Sequence, residues 1–174
     1  MPNRNTGRYT VTQKYLMTRG QAINFPAEIF NVSLKRNDVY GVIVDIPMSP
    51  EILTTMVCYI NGAANLYFNN GGEYTGAAQK HRNLVQAAHT LVANAGQLLP
   101  KAEKTTKYDL PTDRSNNIFL LTKGGVYKVN LPAGMIPENE PEKRAVYVLY
   151  QRVLSELRSC QLKDAAATGM NPIK

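Results

Sequence analysis

His81 and His89 are the side chains of this 174-residue sequence whose ordinary pKa lies near neutrality, and so its candidates for general acid–base work. They fall on one segment of helical pattern, about 80° apart around the axis and about 12 Å along it. That separation is too large for one metal ion, and neither has the histidine four residues away that a helical zinc site uses. The spacing predicts two exposed helix-surface histidines and no metal site. Cys58 and Cys160 have no CxxC spacing, so neither a zinc site nor a disulfide scaffold is expected. Cys58 alternates with Met56 and Ile60 on an apolar face, and Cys160 lies on the apolar stripe of a second helix. Burial at either place raises a thiol pKa and removes its nucleophilic character. Asp109 and Asp113 share a polar stretch and Asp45 stands at a strand end; nothing in their spacing separates one carboxylate's environment from another's, so all three are expected in solvent. No catalytic residue is assigned, and no cofactor is expected.

Three further groups bear on binding. Gly71, Gly72 and Gly76 precede a helical pattern, where backbone amides and the helix dipole can meet an anion. The phosphate-loop pattern is missing and Glu73 would repel a phosphate, so a tight strand-to-helix connection is the competing reading. Arg4, Arg8, Lys14, Arg19, Lys35 and Arg36 are opposed only by Glu28 within residues 1–37. Of the net charge of +7, +5 therefore lies in that segment and +2 in residues 38–174. Such asymmetry suits a polyanion, nucleic acid included, but the charges are widely spaced and equally suit a solvated or docked arm. Ten of the fourteen aromatic residues are tyrosine and none is tryptophan. Tyr59, Tyr67, Tyr147 and Tyr150 are placed to form a protein interface, where tyrosine is enriched, or to stack on bases.

The elements that would position these groups follow from apolar spacing. The length suits one domain, and a 44% hydrophobic content suits one core. The longest apolar stretches, near 42–46 and 145–149, are too short to span a membrane, and no apolar run follows the N-terminus, so a cytoplasmic chain is expected. Residues 1–12 are polar and predict no fixed structure, and the rest of the 1–37 arm predicts an irregular segment with a short helix after Pro26. Residues 38–163 predict one α+β domain, and 164–174 a fraying tail. Within the domain, 39–46 is dense in β-branched residues and apolar on both faces, which predicts a central strand. Residues 54–60 and 63–68 flank Asn61-Gly62, the signature of a two-residue type I′ hairpin. Leu84, Ala88, Leu91, Ala95 and Leu98 recur at helical spacing within 77–99, before Pro100. A possible edge strand near 108–110 precedes a second hairpin, 118–122 with 126–131, turning at 123–125. Val146, Leu149, Val153, Leu157 and Cys160 mark a C-terminal helix.

This order predicts a central antiparallel sheet of about five strands with a long middle helix and a C-terminal helix, and is similar to that of profilin-like and roadblock/longin-like domains. Gly41-Val42-Ile43-Val44-Asp45-Ile46, followed by Leu66-Tyr67-Phe68-Asn69-Asn70-Gly71-Gly72 ahead of a helix, resembles a group of bacterial proteins of unknown function with a Leu-Tyr-Phe-Ser-x-Gly-Gly run. The resemblance covers residues 38–131, and Asn69 stands where the run has serine. It implies a fold rather than an activity. The sequence reading is a non-enzymatic interaction domain that self-associates, expected as a homodimer. The alternative is polyanion or phosphorylated-ligand binding through the arm and the glycine-rich loop.

Overall fold

The structure, a computed structural model, describes residues 4–6, 9–132, 134 and 136–168. Its frame is an antiparallel sheet of seven strands: β3 (Gly41–Pro47), β4 (Leu53–Tyr59), β5 (Ala64–Phe68), β6 (Glu73–Tyr74), β7 (Glu103–Thr105), β8 (Asn116–Thr122) and β9 (Gly125–Leu131), in the order β6-β5-β4-β3-β8-β9-β7. β3 is central, as its two apolar faces require. The count exceeds the expected five because β6 and β7 are two and three residues of polar sequence, too short to show a period. The edge strand lies at 103–105 and not near 108–110.

Alternation along the strands divides the core into two faces. Val42, Val44, Met56, Cys58, Leu66, Ile118, Leu120 and Val129 point to one side, beneath α2 (Arg82–Asn94) and α3 (Pro141–Thr168). Ile43, Val57, Tyr59, Phe119 and Leu121 point to the other, beneath α1 (Gln13–Ile23) and the chain that follows it. The stripe Leu84, Ala88, Leu91, Ala95 and Leu98 is fully buried. Its α-helical part is shorter than 77–99, with 3-10 turns at Ala77–Gln79 and Ala95–Lys101 on either side. α3 runs through Thr168, past the point at 163 where fraying was expected; residues 169–174 lie outside the described residues.

Two local expectations are corrected. The first twelve residues were expected to lack structure, yet β1 (Arg4–Thr6) pairs with β2 (Tyr9–Val11), and Tyr9 and Val11 are buried against Tyr15 and Leu53. The β4–β5 connection is not a type I′ turn, because Asn31 is the one described non-glycine residue with positive φ. The Gly62 amide donates to the Tyr59 carbonyl at 2.9 Å and Gly62 itself has φ +86°. The loop is therefore a type I turn closed by a left-handed glycine, which needs positive φ at one position instead of two.

Candidate functional site

The site begins with a row of polar residues on the α1 face. Register places Tyr67 of β5, Thr55 of β4, Asp45 of β3, Asn117 of β8 and Asn130 of β9 side by side across five strands. Asp45 was expected in solvent at a strand end; it is fully buried. Such a charge needs a partner, and α1 supplies it. Arg19 Nε and Nη2 donate to the two carboxylate oxygens of Asp45 at 3.0 and 2.7 Å. Arg19 Nη1 also donates to the Tyr108 carbonyl at 2.7 Å. Thr55 Oγ1 donates to Asp45 at 2.7 Å and is itself 2.5 Å from the Tyr15 hydroxyl. Burial works against the Arg19 charge, but the facing carboxylate more than offsets it and the guanidinium pKa is raised. Burial, reinforced by Asp45, raises that of Tyr15.

The same contacts explain why α1 escapes a hydrophobic-period reading. Its buried stripe is Tyr15, Arg19, Ala22 and Ile23, at helical spacing but with an arginine at its centre. Thr12 caps the helix, its hydroxyl accepting from the Tyr15 amide at 3.1 Å. Arg19 is thereby removed from the polyanion candidates, since the sheet covers it and Asp45 occupies its donors.

Held this way, α1 forms one wall of a groove of about 470 Å3, with Thr18, Gln21 and Ala22 facing it. Phe25, Ile29 and Phe30 from the loop and 3-10 turn after α1 line its second side, and Tyr59 and Tyr67 form the floor. Phe25 and Phe30 lie 5.0 and 5.3 Å from the Tyr59 ring, centroid to centroid. The Tyr59 hydroxyl donates to the Ala22 carbonyl at 2.8 Å, and the Tyr40 hydroxyl to the Phe25 carbonyl at 2.5 Å. Asn61 and Asn65 also line it, and none of its described lining residues is charged. Ile29 is 62% exposed and Val32 48%, so apolar side chains project beside the concavity.

Of the tyrosines expected at an interface, the structure brings Tyr59 and Tyr67 into this groove. Tyr150, a residue of α3, is fully buried in the core, its hydroxyl accepting from Asn116 Nδ2 at 2.6 Å. Tyr147 is half-buried with its ring edge-on to Tyr150. Tyr150 is thus a core residue and not a contact residue.

The glycine-rich loop does not present its amides to a ligand. The Gly71 amide donates to the Phe68 carbonyl and the Gly72 amide to Asn70 Oδ1, both at 2.9 Å, and the Gly76 amide to Asn65 Oδ1 at 3.2 Å. β6 also separates Gly71 and Gly72 from the helix. The residue that matters there is Asn69: its side chain accepts from the Leu53 amide at 3.1 Å and donates to the carbonyls of Thr10 and Glu51, both at 2.9 Å. A serine could not make all three bonds.

The remaining basic candidates of residues 1–37 are dispersed. Arg8 lies outside the described residues, and the Arg4 side chain is not described. Lys14 is exposed, 3.9 Å from Glu73 at the β6 edge. Lys35 and Arg36 are exposed near the β8–β9 turn, where the Arg36 stem lies over Gly124. Four strand spacings, about 19 Å, separate those positions.

His89 is exposed on α2. His81 is not on the helix surface but at its N-cap, half-buried, with Nε2 2.9 Å from Asp164 Oδ1. The Tyr74 hydroxyl donates to Asp164 Oδ2 at 2.6 Å. These two bonds hold the Asp164 carboxyl below its ordinary pKa, the Tyr74 bond contributing most. They tie the last turns of α3 to β6 and the start of α2. Asp113 caps Ser115 through its amide and hydroxyl, and the Asp109 carbonyl accepts from Asn117 at 3.3 Å. Cys58 is wholly buried, which pushes its thiol up to about 12, and burial also raises Cys160. Among the described residues no helix is long and apolar enough to cross a membrane. No protein-family model, curated protein or solved structure matches the chain.

Proposed function

We propose that the chain is a non-enzymatic interaction domain that pairs with a second copy of itself through the groove between α1 and the sheet. The observation that carries this reading is the placement of Ile29. An exposed aliphatic side chain stands at the rim of an aromatic concavity on the same face. That arrangement suits a two-fold contact, which must be self-complementary, because each copy then offers both the knob and the hole. The uncharged lining suits two chains of net charge +7, and its aromatic content matches the core of a protein contact. The Arg19–Asp45 pair gives the groove a rigid wall, which lowers the ordering cost of association. In the same reading the histidines, cysteines and aspartates are structural: the cysteines are buried, Asp45 is neutralised by Arg19, and His81 braces α3.

The test is amide hydrogen exchange of the full chain at low and high micromolar concentration. The reading predicts that amides of residues 25–32 exchange more slowly at the higher concentration while those of α2 are unaffected. Concentration-independent exchange at 25–32 would count against it.

A further inference from the structure

The charge that the sequence concentrates in residues 1–37 is matched in the folded chain by a second basic feature, assembled from distant segments. At the β7 edge of the sheet, a concavity of about 520 Å3 is lined by Lys101, Lys104, Lys107, Lys128 and Lys143, with Glu103 and Asp109 as its only carboxylates among the described residues. Lys101 and Lys143 are bonded to Glu142 and Glu140 at 3.5 and 2.7 Å. Lys104, Lys107 and Lys128 have no ion-pair partner among the described residues. The basic surface continues past the concavity to the β8–β9 turn. There the Lys104 stem lies over Gly125 and the Arg36 stem over Gly124, beside the exposed Lys123.

We propose that this strip binds the sugar–phosphate backbone of a nucleic acid strand, without reading its sequence. Its form favours a linear polyanion over a single phosphate, because the cations extend along β9 and around its turn. Its chemistry favours backbone contact over base recognition: the cations in the concavity are lysine point charges and not planar guanidinium forks, and none of its described lining residues is aromatic. Protection of the sheet edge against pairing accounts for a lysine on β7 itself. It does not account for Lys128 on β9 or Lys143 on α3, which converge on the same hollow from other elements.

The test is fluorescence anisotropy of a fluorescein-labelled oligo(dT) strand with the full chain. With about five backbone contacts, affinity should fall about 100-fold between about 50 and about 200 mM salt. The triple variant Lys104→Gln, Lys107→Gln, Lys128→Gln should lower the logarithmic salt slope by about 2, and Lys107→Gln alone by about 0.7. Lys14→Gln, on the opposite edge, should leave both affinity and slope unchanged. Circular dichroism establishes that each variant is folded; if the triple variant is not, the exposed single substitution carries the test. Absence of binding at the lower salt, or an unchanged slope in the folded lysine variants, would overturn the proposal. Displacement of the strand by polyglutamate at equal charge concentration would assign the strip to an acidic protein instead.

Discussion

Arg19 and Asp45 meet through two parallel hydrogen bonds of 3.0 and 2.7 Å, from side chains 5% and 0% exposed. The pair joins the first helix to the central strand, so a residue from the segment expected to be an irregular arm completes the core of the sheet. Burial makes the two charges interdependent. Either substitution alone, Asp45→Ala or Arg19→Met, should cost about 3–5 kcal/mol in urea unfolding, because each leaves an uncompensated charge. The double variant should be less destabilised than the two costs added. Strict additivity would mean that the pair is not coupled.

Gly62 closes the β4–β5 loop with φ +86°, and a Cβ built there would lie 2.5 Å from Val85 Cγ1 and 2.7 Å from His89 Cδ2. The left-handed backbone alone costs an alanine about 1–2 kcal/mol, and the contacts with α2 add to that. Gly62→Ala should therefore lower the thermal midpoint. Gly96→Ala, with open space around the added methyl, should not. Equal midpoints for both variants would argue against the loop geometry described.

Much of the fold is legible in the sequence. The apolar runs of β3, β4 and β8, the alternation of β9 and the stripes of α2 and α3 are carried by apolar residues whose spacing declares them. What escapes the sequence is held together by polar atoms. α1 has an arginine at the centre of its buried stripe, and Asp45 resembles a strand terminus until Arg19 is placed against it. β6 and β7 are too short to have a period at all. The groove was legible only as a surplus of tyrosines. Phe25, Ile29 and Phe30 gave no signal as site residues, because what joins them to Tyr59 is a chain reversal after α1 that has no apolar period. The same limit applies to the lysine strip, whose members lie far apart in sequence.

Asp164 gives the end of α3 a dependence on acid. Its carboxyl is held below the ordinary value of 3.8 by the Tyr74 and His81 bonds. A carboxyl with a lowered native pKa stabilises the fold fully above its unfolded value, and the contribution is lost as pH falls through the native value. The difference in thermal midpoint between the parent chain and Asp164→Asn should therefore be constant near neutrality and shrink below about 3.8. A difference that stays level through that acid range would show that the carboxylate is not what secures α3.

Self-association through the groove is the central claim, and Ile29 is the residue on which it turns. A glutamate at the rim would place a charge against the aromatic lining of the facing copy while leaving the core untouched, since Ile29 is 62% exposed in the single chain. Sedimentation equilibrium of the parent chain and Ile29→Glu at high micromolar concentration tests this most directly. The account predicts a dimer for the parent and a folded monomer for Ile29→Glu. A monomeric parent, or a dimer that survives the substitution, would contradict it.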